Sequence, residues 1–577
     1  MSLHAALSTA ARSLELFRTG IEVAGHNVAN ANTPGYVRED LILEAGPDYR
    51  RGHIIDGTGA YLTGTQMAVD IYLEHRLHKA NTDLAGSQIT ATFHTQLQAT
   101  LNELGAGDLS TGVNDLLGAI NDWTNEPELA GLRETVLSQG EQFARDVTVL
   151  RGQLDTLRET ATTQLEALVN EANDLIDRVE ELNTRIVRVE AGGSINSDAT
   201  GLRSERLLAL NRLSEIVEIQ VQEEPSGRVD VLSGGEYLIL KGVHQHLEVF
   251  YDPDAPPPTG PDDSVSVTGV RYDRTKYEVL PGGEISGLLA GRDDVVGQFL
   301  VDLDEFVATL AFEMNRIHSQ GQGTTGYTAL TSEYAVDDPA AALAVAGEPA
   351  AGLEFAPEHG SFRVVLENAA TGVRQTTQID VDLDGLGADD TTLDDLALAL
   401  DAVAGLNASV TANGRLDLST DSGFELFFGE DTSGVVAALG LNTFFSGYDS
   451  QTIALNADLR AEPTRLAGGQ GGGPSDNRNA LALTELMTSG LASLDGRTLD
   501  EAYETIVFGV ANDAAAATSI RDGFQAFQDS LLSQREQYSG VSLDEETVTI
   551  MKYQQSYQAA ARMISTIDEL MQILVNL

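Results

Sequence analysis

Residues 25–36 read GHNVANANTPGY, and they close an apolar repeat that begins at the third residue of the chain. Leu3, Leu7, Ala10, Leu14, Phe17, Ile21, Ala24 and Val28 recur in alternating steps of four and three, which is the heptad seam of a helix that packs along one stripe. Asn27, Asn30 and Asn32 then offer side chains that compete for backbone hydrogen bonds. Thr33-Pro34-Gly35 suits a turn, with Pro fixing φ and Gly supplying φ > 0. The helix is expected to stop within this stretch.

The opposite end of the chain answers in kind. Ile550, Tyr553, Tyr557, Ala560, Ile564, Ile567, Met571 and Leu574 are spaced 3, 4, 3, 4, 3, 4, 3. Ahead of them Ser542-Leu543-Asp544-Glu545 suits a capping box, in which hydroxyl and carboxylate each satisfy an orphan amide. About 35 residues at ~1.5 Å each then make a rod on the order of 50 Å long. Packing of the two helices inside an ordinary monomer core would account for the pattern. Narrow apolar stripes at chain ends are, however, marginal as isolated helices in water. Both seams are therefore expected to find partners, which makes them candidate subunit interfaces.

Composition narrows the classes of function. At 577 residues the chain exceeds what one hydrophobic core supports, so three or four domains are expected. The balance of 35 basic against 88 acidic side chains gives −53, which repels phosphate backbones and anionic membranes and argues against both as partners. The chain has no cysteine, which removes disulfides, thiolate nucleophiles and cysteine-ligated zinc. The first residues lack a basic n-region and their apolar positions are interrupted by Arg12, Glu15 and Arg18, unlike a cleaved secretory signal. If the protein leaves the cell, it is expected to use a route that does not read one.

The stretch ANANTPGY, with GTGAYLTGTQMAVDIYLEHRL after it, resembles the N-terminal signature of the bacterial flagellar rod, hook and hook-associated proteins. The ending GVSLDEETVTIMKYQQSYQAAARMISTIDELMQILVNL resembles their C-terminal signature. Asn27, Asn30, Thr33, Pro34, Gly35 and Tyr36 carry the turn motif. NDWTNEPELAGLRETVLSQGEQFARDV and SDNRNALALTELM are similar to segments of the first hook-associated proteins, the adaptors at the hook-filament junction. Two positions commonly Asp in that group are Ser204 and Leu207 here. The resemblance covers roughly residues 1–320 and 474–577. It implies a structural adaptor at the distal hook end, self-association in a helical axial lattice, and contacts with hook protein and the next junction protein. It also implies export to the extracellular flagellum without a cleaved signal, and an export chaperone on the C-terminal helices. A hook or distal-rod variant is the nearest alternative, and a secreted adhesin or hydrolase the more distant one.

The body of the chain fits that layout. Apolar residues recur from Phe143 to Val189 as one long helix or two in series, and a shorter helix around Leu202–Leu213 leads into strands at VEIQVQ, RVDVL and YLILKG. Helical blocks follow at about Val295–His318 and from Leu499, behind the capping-box pattern of Thr498 and Glu501, toward Tyr538. Between them, Phe362, Val364 and Leu366, then Ile379, Val381 and Leu383, alternate as strands. Leu393, Leu396, Ala397, Leu400 and Val403 have helical spacing, and Asn413-Gly414 marks a hairpin. The expected fold is multidomain and mainly α, with long helices, terminal coiled-coil helices, β-hairpins and an inserted α+β middle domain. The expected division is 1–80 with 540–577, 81–326 with 466–539, and 327–465 as the insert, so both chain ends pair in discontinuous outer domains.

Little in the sequence favours catalysis, a cofactor or a metal. Asp380, Asp382, Asp384 and Gly385 occupy positions 1, 3, 5 and 6 of an EF-hand-like loop, but position 12 is Thr391 where a bidentate Glu is needed. A strand with a solvated acidic face is the preferred reading. His244, His246 and Glu248 share one face if VHQHLEVF is a strand, a spacing that suits zinc, although exposed strand polarity explains it as well. P-loop, nucleophile-elbow and H-E-x-x-H patterns are absent, and the lone Trp123 is read as a packing residue at a helix end. The chain is accordingly read as a non-enzyme.

Overall fold

The computed structural model describes residues 3–33, 35–51, 54–101, 109–191, 197–251, 267–278, 282–345, 347–386, 390–486 and 488–576. Pro34 of the turn motif lies outside them, as do positions 387–389 of the acidic loop. The chain opens with α1 (Leu3–Asn30), then β1 (Glu39–Ala45), β2 (Tyr49–Arg51), β3 (Ile54–Asp56) and β4 (Ala60–Met67), in which β1 pairs with β4 and β2 with β3. Long helices follow as α2 (Ile71–Leu101), α3 (Leu109–Asn125) and α4 (Ala130–Glu190), with α5 (Thr200–Ile216) behind them. β5 (Gln220–Glu223), β6 (Val229–Ser233), β7 (Glu236–Leu240) and β8 (Val243–His244) form one antiparallel sheet in that order. β9 (Leu247–Tyr251) pairs with β10 (Val267–Tyr272). α6 (Gly283–Leu289) runs through a π-helical stretch, Ala290–Val296, into α7 (Gly297–Ser319).

A stretch richer in strands comes next, with β11 (Ala329–Thr331), β12 (Ala344–Val345), β13 (Glu348–Pro349), β14 (Gly360–Asn368) and β15 (Arg374–Val381). It continues through α8 (Leu393–Asp401), β16 (Leu406–Val410), β17 (Leu416–Thr420), β18 (Phe424–Gly429) and α9 (Val435–Ala438). β19 (Phe445–Ser446), β20 (Ala454–Leu455), α10 (Ala457–Ala461) and α11 (Arg478–Glu485) lead back to long helices, α12 (Leu499–Ser539) and α13 (Leu543–Asn576). The fold is mainly α and multidomain, with small antiparallel sheets. It divides into two compact units, Met1–His94 with Glu159–Val295 and Ala514–Leu577, and Thr95–Arg158 with Val296–Asp513.

In the first unit, Leu531 of α12 is buried among Leu73, Leu77 and Ala80 of α2. Arg535 pairs with the buried Glu74 at 2.9 Å, and Gln528 donates to Asn81 at 2.8 Å. α4 is one helix, not two in series, because its apolar stripe is continuous. Within this unit it buries Ala172, Ile176, Val179, Leu182 and Ile186 completely. The small sheets have too few residues for cores of their own, and side-chain amides of α4 attach them. Asn183 donates to the Val229 carbonyl at 2.9 Å and accepts from the Val229 amide at 3.1 Å and from Arg206 at 2.9 Å. Asn173 grips Leu247 in the same two-point way, at 2.9 and 2.8 Å.

In the second unit, β14 lies between β15 and β18. The alternating Phe362, Val364, Leu366, Ile379 and Val381 share a core with Leu393, Leu396, Ala397, Leu400 and Val403 of the α8 segment, as their spacing predicts. The hairpin of β16 and β17 turns through Gly414 at φ 73°, where a Cβ would lie 2.0 Å from the Val336 carbonyl oxygen. Trp123, at the end of α3, is buried and donates from Nε1 to the Pro127 carbonyl at 3.2 Å. His318 is fully buried between the Asn442 carbonyl, 2.8 Å from Nδ1, and the Ala467 amide, which donates to Nε2 at 3.1 Å. Those two contacts fix a neutral ring, and burial pushes its pKa down to about 4.

Three sequence expectations are revised. The helical block expected at Val295 begins at Gly283, where positive φ and close backbone approach exclude a side chain: a Cβ there would meet the Glu215 carbonyl at 2.2 Å. VHQHLEVF is not one strand, since Gln245 and His246 interrupt β8 and β9. Asn27 does not end α1. It sits inside the helix, and its carboxamide bonds to a strand instead of its own backbone, because burial leaves it no water to bind.

Two outcomes are expected. Asn183→Leu keeps the volume but strands both Val229 backbone groups and takes one of two acceptors from Arg206, which keeps the Gly227 carbonyl; this should cost about 2–4 kcal/mol and speed amide exchange at β6. For His318, the depressed folded pKa means that its contribution is present above about pH 6.5 and lost as pH falls toward about 4. The second unit should therefore lose up to about 3 kcal/mol over that window, a slope that denaturant titrations at several pH values would show flattened in His318→Gln.

Candidate assembly surface

The two terminal stripes meet each other: α1 packs along α13, and also touches β1 and β4. Of the N-terminal seam, Ala10 and Ala24 are buried, while Leu3, Leu7, Leu14, Phe17, Ile21 and Val28 are half-buried. Leu16 and Gly20, off the predicted stripe, are buried as well. Of the C-terminal seam, Ala560 and Ile567 are buried, and Ile550, Tyr553, Ile564 and Met571 are half-buried. Tyr557 is 39% exposed and Leu574 59%. The Phe17 and Tyr553 rings stand 6.3 Å apart. Gly20 lies directly beneath Tyr553, where an added Cβ would be 2.7–2.9 Å from three ring carbons.

A polar hub sets the register of this pair. Asn27, 1% exposed, donates to the Glu39 carbonyl at 3.0 Å and accepts from the Glu39 amide at 2.9 Å and the Tyr36 hydroxyl at 2.8 Å. Thr33 and Tyr36 close the turn through backbone bonds to Asn30 and Thr33, and Gly35 adopts φ 75° as the motif predicts. Asn30 donates to the His26 carbonyl one helical turn back, at 3.1 Å. Glu546 of α13 is buried beside Asn27, and that burial raises its carboxyl above the usual range. The start of α13 is capped by Ser542, which accepts from the Glu545 amide at 3.4 Å.

Pairing with α1 leaves much of α13 apolar and uncovered. Val548, Met551, Met563, Leu570, Ile573 and Leu574 are each more than two-fifths exposed. Val548, Met551 and Ile573 lie on the side turned away from the seam, Met563 and Leu570 flank it, and Leu574 is the exposed end of the seam itself. Exposed apolar side chains gathered at both ends of one helix in this way suit contact with another chain.

The remaining candidates fall elsewhere. His244 and His246 do come together, but the group that joins them is Asp177 of α4. Glu248 instead pairs with Arg271 at 2.7 Å and Lys276 at 2.6 Å. Asp382 and Asp384 of the acidic loop lie near His359, whereas Asp380 accepts from Gln378 on the strand. A cavity of about 230 Å³ between α2 and α5 is lined by Met67, Val69, Ile71, Leu207 and Leu210 with the buried His78, whose pKa burial lowers to about 4.

The chain matches the flagellar hook-associated protein FlgK helical domain over residues 94–330 and the flagellar basal body rod FlgEFG protein C-terminal region over residues 533–577. It is 23% identical to flagellar hook-associated protein 1 of Bacillus subtilis over 583 residues, spanning 99% of this chain and 97% of that one. It is 21% identical to flagellar hook-associated protein 1 of Escherichia coli, spanning 99% of each. Among solved structures it is similar to the flagellar hook junction protein FlgK from Burkholderia pseudomallei, with 15% identity, a TM-score of 0.49 and coverage of 80% of this chain and 99% of that one. The chain is thus similar to structural proteins of the flagellar rod, hook and hook-associated class. Within that class its full-length relatives are hook-associated 1 proteins, and its helical segment matches their domain model.

The seam makes a size-matched test possible. Gly20→Leu should push the Tyr553 ring out of place and destabilise the α1–α13 pair by about 1–3 kcal/mol. Combining it with Tyr553→Ala should restore much of that loss, as hydrogen exchange across both helices would report.

Proposed function

We propose that this chain is a structural adaptor of the bacterial flagellum, assembling at the distal end of the hook to form the hook-filament junction on which the next junction protein and the filament build. The observation that carries this reading is the set of apolar side chains of α13 outside the seam, Val548, Met551, Met563, Leu570 and Ile573, that stay exposed after α1 has packed against it. A single chain has no use for them. Subunits related by a rotation that does not close meet through unlike surfaces and build a helical lattice. These exposed side chains, with Tyr557 and Leu574 of the seam, supply one side of such a contact. The seam residues Leu3 to Val28 and Ile550 to Met571 keep the paired helices rigid enough to present it.

On this reading residues 1–80 with 540–577 form the assembly domain. Residues 81–326 with 466–539 form the long-helix domain, and 327–465 is the insert with its own apolar core. Hook protein is the partner below and the next hook-associated protein the partner above. Export proceeds through the flagellar system to the cell exterior without a cleaved signal, with a chaperone on the C-terminal helices. The work is structural, and no catalytic step is assigned.

Immunogold electron microscopy of hook-filament particles with antibody against residues 327–465 tests the location. A single band at the junction supports the adaptor, label spread along hook or filament indicates a polymerising relative, and unlabelled particles refute a place on the organelle. The paired substitution Leu570→Asp and Ile573→Asp should block incorporation while leaving the monomer's melting temperature within a degree or two, because both side chains are already exposed in one chain.

A further inference from the structure

Asp177, His244 and His246 are brought together from two elements of the first unit. His246 Nε2 lies 2.9 Å and His244 Nε2 3.2 Å from the same oxygen, Asp177 Oδ1, and the two rings are 5.3 Å apart. We infer that these residues form a transition-metal site of zinc type, with one carboxylate and two imidazole ligands, that fastens the β8–β9 segment to α4.

The geometry suits such an ion. Zinc with bonds of about 2.0–2.1 Å in a tetrahedron separates its ligand atoms by about 3.3 Å. Both nitrogen–oxygen separations fall within a few tenths of an ångström of that edge. Three protein ligands leave a fourth position for water, and imidazole donors select against calcium and magnesium, which prefer oxygen.

The backbone carrying these ligands is fixed independently of them. Asn173, one helical turn before Asp177, holds the Leu247 amide and carbonyl at 2.8 and 2.9 Å. Asp273 accepts from the His246 amide at 3.0 Å and returns its own amide to the His246 carbonyl at 2.9 Å. Gln245, between the two histidines, is buried and bonded on both sides, its amide to the Leu238 carbonyl at 3.0 Å and its side chain to the Tyr237 carbonyl. The ligands are thus preorganised, as a metal site requires. The two imidazoles remain about one-third exposed and the Asp177 carboxylate more than half, so an ion reaches them from solvent, and the strongly negative chain attracts cations.

The test uses the full-length monomer, freed of metal with a chelator. Titration with Co²⁺ is expected to give a single equivalent with visible ligand-field absorption, displaced by Zn²⁺, and Zn²⁺ is expected to raise the melting temperature. Asp177→Asn, His244→Asn and His246→Asn should each weaken binding at least about 10-fold, whereas His359→Asn, in the other histidine–carboxylate cluster, should not. X-ray absorption of the zinc-loaded wild type should show two imidazole ligands, a result that does not depend on how the variants fold. Absence of Co²⁺ absorption at millimolar metal, undiminished binding in the His244→Asn, His246→Asn double variant, or zinc bound by oxygen alone would each overturn the assignment.

Discussion

One interaction recurs at four places where a helix of this protein meets a small sheet: the carboxamide of a helix asparagine bonds to both the amide and the carbonyl of the first residue in a strand. Asn27 holds Glu39, Asn173 holds Leu247, Asn183 holds Val229 and Asn315 holds Phe445, the first residues of β1, β9, β6 and β19. A carboxamide offers one acceptor and one donor side by side, the same pair a neighbouring strand would present. A sheet of two to four short strands has mostly edges, and unpaired edge groups are costly when buried and adhesive when exposed. The asparagines solve both problems at once. They let long helices carry hairpins that are too small to fold alone.

This division of labour frees the helices for another task. Where the hairpins are held by polar grips at their roots, the apolar stripes of α1 and α13 remain available for each other and for further helices. The hub at Asn27 ties the two schemes together. The amide that anchors β1 also lies against Glu546 of α13 and the Tyr36 hydroxyl, so the axial register of the helix pair and the position of the hairpin are set by one buried group. A purely apolar seam would tolerate sliding by a heptad, whereas a polar group that must find its partners does not.

Much of this is legible in sequence, and what is not has a common cause. The terminal seams, the capped start of α12, the single stripe along α4 and the alternating strands of the middle segment are periodic, and periodicity survives without knowledge of the partner. Thr498 and Glu501 do form the reciprocal cap, at 2.9 and 3.2 Å. The grips are not periodic. Asn27 reads as a helix terminator because, locally, asparagine competes with its own backbone. Only the tertiary structure shows that a strand takes up that capacity. The signal is present nonetheless: Asn27, Asn173, Asn183 and Asn315 each stand next to or on a buried apolar stripe, where an amide without a partner would be expensive.

The same blindness explains the histidines. In sequence His244 and His246 share a face, and Glu248 is the natural third member because it continues the alternation. Strand periodicity cannot report what a distant helix presents. Asn173 aligns α4 with β9 so that Asp177, one turn on, meets the histidine pair, while the partners of Glu248 lie on β10 and just beyond it. The composition of that cluster thus follows from the grip at Leu247 and not from the histidine spacing itself. Shifting the grip by one residue along β9 would turn the opposite strand face toward the helix and remove both imidazoles from Asp177.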